Sequence, residues 1–342
     1  MKAAIVGVTG YTGIELIRLI QGHPHLEIGT LCSGTMHKND IAELYPHLKG
    51  LVHQPVEAFD AKKIMSKNEL VFFATPAGIS KENVAAFLEA DFPVIDLSGD
   101  LRLKNPADYQ KWYQKEPATA EILEKAFYAV PEFYDKPVGN LISNPGCYAT
   151  ATELTLSPLI KNHLIDLDSI VIDAKSGLSG AGKKLTEASH FVNVQENMSM
   201  YKVNQHQHIP EIVAHLKQFD QELTTLQFTT SLIPITRGIL VSSYVKLKAG
   251  TTKEQVAEAF AYYDDKPFVR MQEENQLPQI KQVVGSNFCD IGYVINPENN
   301  YLTLVTVIDN LVKGAAGLAL QNFNKWAGID ETSGLLAVPI FP

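Results

Sequence analysis

Residues 2–20, KAAIVGVTGYTGIELIRLI, decide how the rest of the chain is read. Residues 2–7 are an apolar β-run, Gly7, Gly10 and Gly13 form a G-x-x-G-x-x-G turn, and residues 14–20 have helical periodicity, so the chain opens as strand, turn and helix. Glycines in that setting let a backbone approach a pyrophosphate, and the helix N-terminus adds N–H donors and a favourable dipole. Three glycines in an ordinary turn are the bland alternative; the placement between a strand and a helix favours the dinucleotide reading. Residues 26–32 supply a second strand. Residues 70–74 (LVFFA) and 93–97 (PVIDL) are short continuous apolar runs next to helical patterns such as 81–89, as buried parallel strands are. Through about Asn144 the pattern predicts a Rossmann-type, doubly wound α/β domain.

The same loop nominates a cofactor site of Gly7, Thr9, Gly10, Tyr11, Thr12 and Gly13. NAD-specific sites place an acidic residue at the end of the second strand to hold the ribose diol. Here that position is Cys32-Ser33-Gly34, without a carboxylate, so a 2′-phosphate meets no repulsion, and Ser33 and Lys38 are candidates to contact it. NADP is therefore expected over NAD, although Lys38 reads equally well as a solvated lysine. Thr75 and Pro76 end the LVFFATP strand, where the nicotinamide half commonly lies in such folds.

A chain of 342 residues exceeds one ordinary hydrophobic core, which predicts two domains. The 45% hydrophobic and 20% charged composition is that of a folded globular protein. A formal charge of −9 gives no footprint for nucleic acid or for an anionic membrane and favours a small-molecule substrate, an anionic one requiring local arginines. No basic-then-apolar leader opens the chain and no apolar run approaches a membrane span, so a cytoplasmic location is expected. Cys32, Cys147 and Cys289 are odd in number and widely spaced; they read neither as a disulfide framework nor as a metal pair, and no metal is expected.

Beyond Cys147 a helical pattern over 149–160 precedes β-rich segments at 169–175, 227–234, 239–247, 288–295 and 301–309, which predicts an α+β domain with a mostly antiparallel sheet. The expected division is 1–147 for the dinucleotide domain, completed by a C-terminal helix, 311–342, and 148–310 for a catalytic and oligomerising domain. An open sheet there suits a homodimer or tetramer.

Residues 141–147, LISNPGC, read as a short strand, a Pro-Gly turn and a cysteine at a helix start. A thiol there sees the positive end of the helix dipole, which favours thiolate, and backbone donors of the same turn suit an oxyanion. A buried structural cysteine is the alternative, and it is the better reading for Cys32 and Cys289. A nucleophilic thiol and a nicotinamide in one chain point to acyl transfer to sulfur followed by hydride transfer to the thioester. His206 and His208 fall in NQHQHIPEI, on one side if that segment is extended and apart if it is helical. Either imidazole suits the acid/base step, with Glu211 to orient it. Arg102, Arg237 and the run Lys175-Ser176-Gly177 are the candidates for an anionic substrate.

The motifs GVTGYTGIEL, LSGDLRL (97–103), SNPGCYATA (143–151), DAKSGLSGAGKK (173–184), HQHIPEI (206–212), PITRGIL (234–240) and DNLVKGAAGLALQN (309–322) resemble, in order and spacing, the N-acetyl-gamma-glutamyl-phosphate reductase family over nearly the whole chain. Aspartate-semialdehyde dehydrogenases share a glycine loop and a cysteine turn but differ in the KSGLSGAG and KGAAG segments. The resemblance implies NADPH-dependent reduction of N-acetyl-glutamyl 5-phosphate to the 5-semialdehyde in arginine biosynthesis, through a thioester on Cys147. It implies His206 as acid/base supported by His208 and Glu211, and Arg102, Ser176 and Arg237 as holders of substrate anions. It also implies Ser176, Gly177, Asn310 and Lys313-Gly314 on the nicotinamide side of the cofactor. Ala149 stands where the family commonly has proline, and Gln207 where it often has arginine, which removes a charge between the histidines. The competing readings are an aspartate-type phosphorylating dehydrogenase, a non-catalytic NADP-binding redox sensor that uses Cys147 as a switch, and a cysteine acyl-hydrolase, which leaves the glycine loop without a role.

Overall fold

The computed structural model describes residues 1–341 and divides into two compact units, 1–144 with Ala315–Leu335, and 145–314 with 336–341. The expected division had its turns at 147 and 310 and assigned the whole C-terminal segment to the first domain; here the chain changes unit after Asn144 and after Gly314, and 336–341 group with the second unit.

The first unit holds strands β1 (Lys2–Val6), β2 (Glu27–Cys32), β3 (Val56–Glu57), β4 (Leu70–Phe73), β5 (Val94–Asp96), β6 (Phe127–Tyr128) and β7 (Leu141–Ser143) in the order β3-β2-β1-β4-β5-β7-β6. Every pairing is parallel. The order reverses at β1, so ligands of such sheets bind at the carboxyl ends of β1 and β4, where the glycine turn and Thr75 lie. The central strands are apolar on both faces because helices cover both, and Ala4, Val71, Phe73 and Val94 are buried in one cluster with Phe87. The helix expected over 81–89 is broken into Ser80–Asn83 and Ala85–Glu89.

The returning helix Gly317–Ala327 completes this unit through side-chain amides. Asn322 donates to the carbonyl of Ala129 and to Asn144 Oδ1, and Trp326 Nε1 donates to Asn140 Oδ1. It ends at Gly328, whose φ of 70° lets the chain leave the helix, so the C-terminal helix is far shorter than the 311–342 segment.

The second unit is built on β8 (Val171–Ser176), β9 (Ser199–Tyr201), β10 (Gln227–Leu232), β11 (Ile239–Lys246), β12 (Val269–Met271), β13 (Cys289–Asn296) and β14 (Tyr301–Ile308), ordered β12-β13-β14-β11-β8-β10-β9. Four of its six pairings are antiparallel; β8–β10 and β12–β13 are parallel. Helix Cys147–Lys161 packs against β11 and β14 and is buried on every side from Tyr148 to Ile160. Its threonine and serine hydroxyls bond within the helix: Thr150, Thr152, Thr155 and Ser157 each donate to the carbonyl four residues back. Pro158 has no N–H for the carbonyl of Leu154, and the Tyr263 hydroxyl donates to that oxygen at 2.5 Å instead. No helix among the described residues is long and apolar enough to cross a membrane.

Candidate active site

In the first unit the three glycines of the opening turn do different work. Gly7 has φ 89°, and a Cβ there would stand 2.3 Å from the carbonyl oxygen of Ala74. A Cβ on Gly13 would stand 2.5 Å from the oxygen of Gly7, so the helix can approach the strand only with glycine at that position. Gly10 is the N-cap of helix Tyr11–Ile20, and no side chain caps that end, which leaves its first N–H groups to an anion. Thr75 Oγ1, at the end of β4 and beside Gly7, is buried with no hydrogen-bond partner among the described residues. A cradle that a methyl group would fill and an unpaired hydroxyl at its rim fit a bound dinucleotide. Tyr11 and Pro76 are exposed, and Thr9 and Thr12 are half-buried.

Ser33 is buried at the end of β2. Its hydroxyl lies 3.0 Å from that of Thr9 and accepts the N–H groups of Thr35 and Met36, so it shapes the loop that follows. Lys38 is exposed in the left-handed region, φ 82°, and its backbone N–H is tied to Val56. The N–H of Ser33 donates to the carbonyl of Glu57 on the neighbouring strand β3, and the carboxylates of Glu57 and Asp60 act on Cys32, so carboxylates absent from the Cys32-Ser33-Gly34 run do lie near this corner. Arg102 is buried at the carboxyl side of β5, where Nε donates to the carbonyl of Asn144 and Nη2 to that of Leu97. Two of its donors thus hold the backbone leading to the cysteine turn. Asp96, at the end of β5, is buried beside Asp100, and desolvation first and that neighbour second push its carboxyl up to about 7.

In the second unit Cys147 is the first residue of its helix, half-buried, with Gly146 extended before it (φ −76°, ψ 156°). The N–H of Gly146 is not left for an oxyanion: it donates at 2.7 Å to Oε1 of the buried Glu211. Glu211 therefore lies beneath the nucleophile turn, with a carboxylate at the N-terminus of the helix. On its own helix, Ile209–Leu216, it faces His215, whose pKa desolvation lowers to about 4 against the opposing pull of Glu211.

His206 and His208 sit in neither an extended nor a helical segment. A turn just before helix Ile209–Leu216 brings their rings to 4.6 Å, edge to face, and the N–H of His208 donates to His206 Nδ1 at 3.2 Å. Tyr148, next to Cys147, puts its ring 5.4 Å from His206 and 6.0 Å from His208, and Tyr201 and Phe228 close the box at 5.9 and 6.0 Å from His206. The hydroxyls of Tyr148 and Tyr201 meet at 3.1 Å; burial raises both, that of Tyr201 to about 12, so both stay neutral donors. Of this aromatic box only Tyr148 lay in a motif singled out from the sequence. Tyr201 and Phe228 come from β9 and β10, and strand register alone places them there.

Gly177, Asn310 and Arg237 converge at the carboxyl end of β8. A Cβ on Gly177 would stand 2.9 Å from the backbone oxygens of Ile235 and Thr236. Asn310 accepts the N–H of Gly238 at 2.8 Å and donates to Ser179 at 2.9 Å. The hydroxyl of the buried Ser176 donates to the carbonyl of Gly177, whereas Lys175, on the opposite face of the strand, pairs with Asp173. Arg237 forms a two-bond pair with the fully buried Asp309. Gly314, expected at the nicotinamide side, lies against the nucleophile: a Cβ on it would stand 2.7 Å from Cβ of Cys147.

Residues 2–141 match the family model of the semialdehyde dehydrogenase NAD binding domain, and 147–310 that of the semialdehyde dehydrogenase dimerisation domain. Over the full length of both chains the protein is 52% identical to an N-acetyl-gamma-glutamyl-phosphate reductase of Streptococcus mutans and 49% identical to one of Listeria innocua. The chain belongs to the N-acetyl-gamma-glutamyl-phosphate reductases. It is thus a semialdehyde dehydrogenase-family enzyme with an NAD(P)-binding domain and a dimerisation domain. In fold it is similar to the aspartate semialdehyde dehydrogenase of Candida albicans with NADP (TM-score 0.71, 14% identity, covering 95% of this chain and 98% of that one). A second such fold is aspartate semialdehyde dehydrogenase II of Vibrio cholerae (TM-score 0.70, 16% identity, 96% and 98% covered).

Proposed function

We propose that the chain reduces N-acetyl-glutamyl 5-phosphate to N-acetyl-glutamate 5-semialdehyde and phosphate with NADPH, as a homo-oligomeric cytoplasmic enzyme of arginine biosynthesis. The observation that carries this reading is a half-buried cysteine at the first position of a buried helix, next to a paired imidazole box, in a chain about half identical from end to end to reductases of that name.

The helix N-terminus favours the Cys147 thiolate. Sγ attacks the acyl carbon, a C–S bond forms, and the bond to the phosphate oxygen breaks with its electron pair leaving on phosphate. His206 accepts the His208 N–H at Nδ1, so the neutral ring carries its proton at Nε2 and acts as donor to the acyl oxygen as negative charge builds on it. The Gly7–Gly13 turn would hold the pyrophosphate of NADPH, which when bound would supply the hydride that reduces the thioester. The resulting alkoxide, again held by the His206 donor, collapses to the aldehyde and expels the Cys147 thiolate. Arg102, Ser176 and Arg237 hold the substrate's anionic groups, with Gly177 and Asn310 beside the cofactor. NADP over NAD is read from the absence of a carboxylate in the Cys32-Ser33-Gly34 run, and pairing through the open sheet of the second unit suits a dimer or tetramer.

The test is phosphate-dependent reduction of NADP in the reverse direction, with N-acetyl-glutamate semialdehyde and aspartate semialdehyde compared. Turnover of the first alone supports the assignment; turnover of the second alone moves the chain to the aspartate branch, and turnover of neither returns the redox-sensor reading. Cys147→Ser is expected to abolish turnover with NADPH binding retained.

A further inference from the structure

Asp309 stands at the end of β14, wholly buried, and its carboxylate has a full set of donors. Oδ2 accepts Arg237 Nε at 3.0 Å and the N–H of Gly285 at 2.7 Å; Oδ1 accepts Arg237 Nη2 at 3.2 Å and the N–H groups of Leu311 at 2.8 Å and Val312 at 3.2 Å. Its own carbonyl accepts the N–H of Gly314 at 2.9 Å, the five-residue step of the π-turn Val312–Ala316. That turn brings Gly314 against Cβ of Cys147. One residue therefore orients a guanidinium through its side chain and, through side chain and backbone, builds the turn on which the nucleophile rests.

We infer that Asp309 is the positioning residue that fixes Arg237 for the substrate's anionic group and seats the turn beneath Cys147. The inference rests on the reading of Arg237 as an anion holder given above. The paired fork sets the plane of the guanidinium, which a single contact would leave free to swing. Arg237 is about a quarter exposed (23%), so this buried anchor steers a cation that still reaches the surface of the unit. Asn in place of Asp309 turns one acceptor oxygen into a donor. In either amide orientation that donor faces two or more N–H groups, so at least one arm of the arrangement must be lost.

The experiment is a double-mutant cycle in the reverse reaction, with KM for N-acetyl-glutamate semialdehyde and for phosphate read separately from kcat. Asp309→Asn is expected to raise the same KM that Arg237→Ala raises, by roughly ten- to a hundredfold, the range for a charge-assisted hydrogen bond. In the Arg237→Ala background it should raise that KM no further while still lowering kcat. An undiminished KM effect of Asp309→Asn in that background overturns the inference. If Arg237→Ala changes neither KM, the anion-holding assignment of Arg237 has failed instead. Should Asp309→Asn not fold, Arg237→Ala is assayed with added guanidinium and with urea. Recovery with guanidinium alone shows the carboxylate acting on a bound cation, and equal recovery or none with both overturns it.

Discussion

Gly314→Ala tests the nucleophile's seating most directly. A Cβ on Gly314 would stand 2.7 Å from Cβ and 3.2 Å from Cα of Cys147, and 3.3 Å from Cδ1 of Ile308. Non-bonded carbons settle at about 3.5–4.0 Å, so roughly 1 Å must be opened. The Cys147 backbone cannot yield easily, since it begins a helix buried along its length and tied by Gly146 to Glu211. The π-turn is held in turn by Asp309. The displacement therefore falls largely on the Cys147 side chain. A misplacement of about 1 Å at a reacting group costs on the order of a hundredfold in rate, or about 2.7 kcal/mol of barrier, beside an overpacking cost of roughly 1–3 kcal/mol in stability. The assay is kcat in the phosphate-dependent reverse reaction, with thermal unfolding to confirm folding. Gly22→Ala serves as control, since the nearest atom to a Cβ there is Leu19 O at 4.0 Å. A folded Gly314→Ala enzyme with kcat within twofold of the parent would refute the reasoning.

Gly7→Ala places a methyl 2.3 Å from Ala74 O at a φ of 89°, and it should abolish NADP binding by titration while Cys147 in the other unit still reacts with iodoacetamide; retained affinity would count against the cradle. Glu211→Ala removes the acceptor for the Gly146 N–H and should cost about 1–2 kcal/mol in urea unfolding. Glu211→Gln keeps an acceptor oxygen and removes the charge, so the pH midpoint of Cys147 alkylation should fall, and a midpoint that rises speaks against an influence of Glu211 on the thiol. His215, held neutral by burial, contributes stability that is full above its unfolded value of 6.5 and is lost as pH falls from there toward about 4, up to roughly 3 kcal/mol. Urea midpoints at pH 7 and pH 5 should converge in His215→Leu, and an unchanged gap would place the acid sensitivity elsewhere.

What could be read from the sequence was whatever local pattern encodes. The glycine turn, the cysteine at a helix start and ten of the fourteen strands follow from short-range periodicity and turn chemistry, because burial on one or both faces leaves its mark within a few residues; the two- and three-residue strands β3, β6, β9 and β12 are too short to carry that mark. The histidine pair was visible, but its geometry was not: the rings meet across a turn, a third option beside the two that periodicity distinguishes. Glu211 was assigned by proximity in sequence to the imidazoles, and that pattern gave no sign that its carboxylate also reaches Gly146, 65 residues away. Asp309 and Gly314 stood inside a motif that was quoted whole. Nothing in the order of its letters says that an aspartate ends a strand opposite Arg237, or that a π-turn rotates a glycine onto the cysteine. Such roles depend on which strands are neighbours, and β11 and β14 are paired although their closest partners in sequence, Lys246 and Tyr301, are 55 residues apart.

The placement of Glu211 also bears on how one thiol can serve both halves of the reaction. A helix N-terminus favours thiolate at its first residue, and the Glu211 carboxylate that accepts the Gly146 N–H disfavours it. A very acidic thiol gives a thiolate that leaves readily but attacks weakly, because nucleophilicity falls with pKa; a very basic one attacks well but is scarcely ionised and leaves slowly. In the proposed cycle Sγ must attack the acyl carbon and later depart from it. Opposed influences on one sulfur hold it between those extremes, which neither the helix end nor the carboxylate would do alone. The same carboxylate secures the Gly146 N–H and so the angle at which the helix begins, joining the position of the nucleophile to its basicity through a single hydrogen bond.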